Sequence, residues 1–215
     1  MDKMDKICYC DKFAIFFAIK FLNKHSWRWS VTKVKESAVL LSGILGFIIP
    51  TYFAWTVYQQ GLPQNIATWG MTLLLDVLGL VLAFRAGNKK PYLQLGWCFA
   101  AFCIVLAITL GKNPWHWGWV ETVALALAGT AIVLWLNWSA EKALWAYMAA
   151  AYLSTVPLMV DYWHRPQPET LWLWYWTIGT CFLAIYGASK RDFANTFVPW
   201  SCIILNAIIV WLCLR

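Results

Sequence analysis

One acidic residue stands alone in a long apolar run. Asp76 lies in the stretch Thr72-Leu73-Leu74-Leu75-Asp76-Val77-Leu78. A carboxylate at the middle of a bilayer costs about 2.5–3.5 kcal/mol on insertion scales. It therefore belongs on an interior face with a partner. Three roles suit it: substrate hydrogen bonding, proton coupling, or a structural hydrogen bond to a neighbouring helix. Asn206, in the apolar run Cys202–Cys213, is the second candidate. Its amide offers two donors and an acceptor, which suits the hydroxyls of a sugar or nucleoside. The competing role is a bond across helices. Pro50 and Pro157 are 107 positions apart, each inside an apolar run. Each removes one helical hydrogen bond, so the pair can act as hinges.

The chain has 17 tryptophans, and most suit the aromatic belt at a membrane interface. Three could instead form a wall for a flat or sugar-like ring. These are Trp69, Trp172 and Trp176, the last being four residues beyond Trp172 and on the same helical face. Trp174 points away from that face. His116, Glu121, Asp161 and His164 gather at one rim, where spacing predicts solvated or interfacial placement and no metal site. Cys98, Cys103, Cys181, Cys202 and Cys213 fall inside apolar runs, where a thiol behaves as a small hydrophobe. Neither a zinc spacing nor a cofactor motif stands out, and no acid–base pair suggests an enzyme.

The elements that hold these residues follow from composition. The chain is 61% hydrophobic and 13% charged over 215 residues, with a mean hydropathy of +0.58. A soluble domain averages about 45–50% apolar and about 25% charged, so lipid must be part of this chain's solvent. Seven stretches are long enough to span: 38–58, 66–84, 91–111, 117–138, 143–163, 171–188 and 193–214. With every backbone polar group to be paired in hydrocarbon, they are helices. The expected class is an all-α membrane protein. A basic N-terminal tail, 1–37, precedes a membrane domain, 38–214, and can hold a short interfacial helix. With seven spans, fourteen Lys and Arg residues fall on the tail's side and three on the other. This bias places the N-terminus in the cytoplasm and the C-terminus outside, in a bacterial-type inner (plasma) membrane. The net charge of +7 is a topology signal, since nucleic-acid binding would need a basic soluble module.

The chain also resembles itself. Pro63-Gln64, Trp69, Leu82-Ala83-Phe84, Gly87, Lys89-Lys90 and Tyr92 match Pro166-Gln167, Trp172, Leu183-Ala184-Ile185, Ala188, Lys190-Arg191 and Phe193. The spacing is 103 at the Pro-Gln pair and tryptophan, and 101 from Leu82 onward. Three-helix halves at 38–111 and 143–214 can point the same way only if one extra helix, 117–138, separates them.

This 3+1+3 pattern, with a proline in the first helix of each half, resembles the SWEET sugar transporters and their relatives, the PQ-loop proteins and nicotinamide-riboside-type facilitators. The resemblance implies two parallel repeats around a substrate site. It places Asn206 where the SWEET family has a substrate-binding asparagine, and Cys103 at the repeat-related position. The expected function is transport or facilitation of a small, uncharged polar solute (sugar, nucleoside or vitamin class) by alternating access. The expected partners are the bilayer and that solute, with room for a homo-oligomer and no nucleic acid or cofactor. The alternative is a non-transporting membrane protein, a sensor or assembly partner working through its basic tail.

Overall fold

The structure, a computed structural model, describes residues 4–61, 64–111, 115–188 and 192–215, with side chains from residue 31 onward except those of residues 169 and 194. The side chains of most of the basic tail thus lie outside the described residues. Among the described residues there is no strand. The helices are α1 (Met4–Gln60), α2 (Ile66–Arg85), α3 (Tyr92–Leu110), α4 (Trp119–Asn137), α5 (Ala140–Ser154), α6 (Val156–His164), α7 (Leu171–Gly187) and α8 (Phe193–Leu214), with one 3-10 turn at Pro168–Thr170.

Among the described residues six stretches are long and apolar enough to cross a membrane: Val31–Gln60, Ile66–Arg85, Tyr92–Leu110, Trp119–Asn137, Ala140–His164 and Asn195–Leu214. The chain is a multi-pass, all-α membrane protein. Helix α7, 17 residues long, is at the short end of what a span needs.

Polar residues set the helix ends. Asn65 Oδ1 accepts from Ala67 N at 3.0 Å, Ser139 Oγ from Lys142 N at 3.3 Å and Asp192 Oδ1 from Asn195 N at 3.1 Å. Each satisfies a backbone donor that the first helical turn leaves free. Helix α2 ends in a Schellman turn. Asn88 N donates to Ala83 O at 2.9 Å and Gly87 N to Phe84 O at 3.1 Å. Gly87 adopts φ 102° there, a conformation open to glycine without a Cβ clash.

The proline-containing segments differ from one another. Pro50 sits inside an unbroken α1. Pro157 sits in the first turn of α6, so the expected single helix 143–163 is two helices separated at Thr155. The missing N–H of Pro157 leaves the Leu153 carbonyl without its usual donor, and the chain closes the turn from Thr155 N to Tyr152 O at 3.3 Å. Pro199 lies inside α8, a position the sequence reading did not single out.

The helices close a ring. α1 packs on α3 and α7, α3 on α2, α2 on α5, α5 and α6 on α8, and α8 on α7. α4 packs against α5 and, less extensively, α2. Its buried stripe of Ala124, Ala128 and Ala131 lets the backbones come close, as small residues do between membrane helices. Glycine does the same inside the ring. A Cβ on Gly96 would collide with the Gly43 carbonyl, tying α3 to α1. A Cβ on Gly187 would meet the Val39 side chain and the Lys35 carbonyl, tying α7 to α1. A Cβ on Gly79 would lie 2.5 Å from the Tyr147 hydroxyl, between α2 and α5. The outward faces carry large apolar groups such as Phe99, Phe102, Ile204 and Trp211, all more than half exposed. Hydrocarbon is the solvent that suits them.

Gly96→Val should lower the melting temperature in detergent by several degrees, because overpacking at a backbone contact costs about 1–3 kcal/mol. Gly129→Ala, where an added Cβ meets nothing within 4 Å, should leave it unchanged or slightly raised. Equal effects at the two positions would contradict the close α1–α3 contact.

Candidate functional site

The ring encloses a cavity of about 150 Å³. Pro50 of α1, Trp69, Thr72 and Asp76 of α2, Trp97 and Ile104 of α3, Tyr147 and Ala151 of α5, Trp174 and Thr177 of α7, and Cys202, Leu205 and Asn206 of α8 line it. Each helix of the ring apart from α6 contributes. The α2 face is built by helical spacing: Trp69, Thr72, Asp76 and Gly79 recur at three and four residues, so they share one side.

Most polar groups here are satisfied by their own helix. Thr72 Oγ1 donates to Thr68 O at 3.0 Å, Thr177 Oγ1 to Leu173 O at 2.8 Å and Asn206 Nδ2 to Cys202 O at 2.7 Å. The Asn206 amide thus spends one of its donors locally and keeps its oxygen. Trp69 Nε1 donates to Gln64 Oε1 at 2.9 Å. Four groups make no hydrogen bond among the described residues: the Asp76 carboxylate, the Tyr147 hydroxyl and the indole N–H groups of Trp97 and Trp174. The Trp174 nitrogen is fully buried without an acceptor. Tyr147 and Cys202 are within electrostatic reach of Asp76.

A second cavity of about 180 Å³ adjoins the first. The two share Trp69, Thr72, Thr155 and Trp174, and the second adds Gln64, Asn65, Pro157, Asp161, Gln167 and the buried Tyr162. A third and larger cavity, about 650 Å³, opens at the other end of the bundle. It gathers Lys35, Glu36, Asn88, Lys89, Lys90, Gln94 and Asp192. Its lining shares no residue with that of the central cavity. Trp97, in the lining of the central cavity, packs on a cluster that includes Leu78, Leu82 and Val198. At the large mouth Lys90 Nζ donates to Glu36 Oε1 at 2.8 Å. That bond holds the Lys90 ammonium above its ordinary pKa range.

Five pairs of residues in the central lining share one spacing along the chain. Pro50 and Ala151, Thr72 and Leu173, Asp76 and Thr177, Ala101 and Cys202, and Ile104 and Leu205 are each 101 positions apart, and all ten residues line the same cavity. By that spacing the counterpart of Pro50 is Ala151. Pro157 lies instead at the second cavity.

The structure brings Asp76, Asn206, Trp69 and Pro50 together and leaves three sequence candidates outside. Trp176 is 56% exposed, on the outer face of α7. Trp172 packs edge-on against Tyr52 with ring centroids 5.3 Å apart. Cys103 is packed against the core without lining the cavity. The α7 face toward the cavity belongs to Trp174, which the sequence reading turned away. Taking Thr177 as the inward residue would have selected Leu173 and Trp174 by helical spacing. Tyr147 and Trp97 carried no comparable signal.

Glu121 also differs from its expected solvated placement. It is 4% exposed. Its Oε2 accepts from Gly118 N at 2.9 Å, and its Oε1 accepts from Thr68 Oγ1 at 3.1 Å. The carboxylate caps α4 and ties it to α2. Asn65 secures the same region, donating to His116 O at 2.8 Å and accepting from His116 N at 3.1 Å. Asp161 and His164 are exposed, as expected. Among the described residues no cluster of His, Cys, Asp and Glu could hold a metal ion.

Comparison with protein-family models, curated proteins and solved structures finds no match. The functional reading therefore rests on the geometry of these cavities.

Glu121→Ala should destabilise the protein by about 1–2 kcal/mol, the cost of a lost helix cap and a buried hydrogen bond. Asp161→Ala should change stability by less than about 0.5 kcal/mol. Thermal unfolding in detergent reads both, and equal shifts would remove Glu121 from its tying role.

Proposed function

We propose that the chain is a membrane transporter or facilitator of a small polar solute that works by alternating access, and that it is not an enzyme. The observation that carries this is the central cavity. It shares four lining residues with the cavity toward one mouth and none with the cavity at the other. That is the arrangement of a site open to one side at a time.

The packing order supports two parallel three-helix units. Read as α1, α3, α2 and then α5–α6, α8, α7, each unit places its third helix between the other two. The remaining contacts, α1 with α7 and α2 with α5, exchange under a two-fold relation. The five pairs at a constant spacing of 101 fit the same relation. This favours seven crossings in the 3+1+3 order, with α4 as the connecting helix, and an architecture like that of the SWEET and PQ-loop proteins. Helix α7 then crosses despite its length, because Gln167, just before it, lines one mouth and Gly187, its last residue, lines the other. Lys35, Lys89 and Lys90 mark the large mouth as cytoplasmic by the positive-inside rule.

In this reading the unbroken proline helix α1 and the broken pair α5–α6 differ in mechanical role. The interruption at Thr155 lies where the central and second cavities meet, so α6 can swing against α5 as a gate. Asp76, Tyr147 and Asn206 contact the solute, and the aromatic groups of Trp69, Trp97 and Trp174 enclose it.

Proteoliposomes containing the purified protein should take up one class of small solute saturably. Asp76→Asn should cut the initial rate at least tenfold while the protein still purifies as a stable monodisperse species. Binding of a solute without any uptake would sink the transport reading in favour of a sensor.

A further inference from the structure

The central cavity holds one formal charge. Asp76 is the only Asp, Glu, Lys, Arg or His among the residues that line it. No ion pair and no hydrogen bond from the described residues reaches its carboxylate. The lining of the adjoining cavity likewise includes a single charged residue, Asp161, which is also acidic. The basic groups Lys35, Lys89 and Lys90 are gathered at the opposite end of the bundle. Among the residues that line these two cavities, a solute entering from that side meets two acidic groups and no basic one.

The rest of the lining has a matching character. Trp69, Trp97, Tyr147 and Trp174 place four aromatic residues around the same small space. Aromatic faces attract cations, and they do so most when water is excluded. A neutral solute would leave an ionised Asp76 unpaired in an apolar enclosure, and an anion would be repelled by it. A cation supplies the missing partner. The volume of about 150 Å³ is that of about five waters, so the occupant is compact.

We infer that the central cavity takes a small organic cation of the ammonium class, its charge paired with Asp76 and its alkyl groups set against Trp69, Trp97, Tyr147 and Trp174. The inference rests on the solute-transport reading of this cavity and specifies its substrate class. It replaces the sequence expectation of an uncharged solute. That expectation came from the scarcity of charge across all the spans. Here one carboxylate suffices, because it lies in the lining itself.

Choline and 3,3-dimethylbutanol have the same shape and differ in charge, a quaternary nitrogen replacing a quaternary carbon. The full-length protein in detergent, heated with each at millimolar concentration, distinguishes them through the stabilisation that any native-state ligand confers. Choline should give a saturable rise in melting temperature and bind at least tenfold more tightly than 3,3-dimethylbutanol. Asp76→Asn should abolish the difference between the two. This comparison within the wild-type protein keeps the test informative even if the variant fails to fold. Equal binding of both compounds would overturn the cation inference. So would a shift produced by a sugar or nucleoside but not by choline, and in that case the transport reading would stand. No shift with choline, the neutral isostere or a panel of sugars, nucleosides and vitamins would overturn both.

Discussion

A charge at bilayer depth needs either a partner or a hollow, and this bundle supplies the hollow. Asp76 sits on α2 with neither an ion pair nor a hydrogen bond from the described residues. Five helices besides α2 therefore turn a face toward the same space. The arrangement depends on close approaches elsewhere. Gly79, one turn beyond Asp76, lets the Tyr147 ring lie against α2. Gly43 and Gly96 bring α1 and α3 close enough for Pro50 and Trp97 to line one cavity. Small residues at the contacts and one carboxylate in the middle are thus parts of a single solution. The contacts close the ring, and the ring gives the carboxylate somewhere to face.

The sequence made the fold class legible because hydrocarbon leaves a chain few options. Seven apolar runs translate directly into helices when every backbone group must be paired internally. The boundaries of α2, α3 and α8 fall within a few residues of those expected. What the sequence hid was the direction of side chains around each axis. In an all-round apolar helix no polar stripe marks the exposed face. Trp174 and Trp176 are indistinguishable by composition, yet one is 8% exposed and the other 56%. The break at Thr155 was hidden for a related reason. A proline in the middle of a helix can bend it, as one inside α1 or α8 is free to do, or start a new one, and only the surrounding packing decides. Asp76 and Asn206 were readable because a polar group in such a run is conspicuous whichever way it points.

In the proposed two-repeat arrangement, the two halves of the lining place different chemistry at equivalent positions. Asp76 corresponds to Thr177, Ala101 to Cys202 and Pro50 to Ala151. A repeat can keep its backbone geometry while its side chains diverge, because the contacts that close the ring are made elsewhere. The proposed repeat would thus be a nearly two-fold scaffold around an asymmetric interior. Any solute held there meets its acidic contact from one half and Thr177, Cys202 and Asn206 from the other. Its orientation in the cavity is therefore set by which half carries the charge.

The brevity of α7 carries over to the lipid. Seventeen residues at about 1.5 Å each make a helix of about 25 Å, against a hydrocarbon thickness of about 30 Å. The neighbouring α8 has 22 residues and matches that thickness with room to tilt. In the proposed seven-crossing arrangement α7 crosses beside α8 and α1, and the bilayer would then meet a short wall on one side of the protein and full-length walls on the others. The leaflets must dip there to keep the polar ends of α7 in water. A dimple of this kind would favour thinner membranes, and would draw together any two proteins whose short sides can share it.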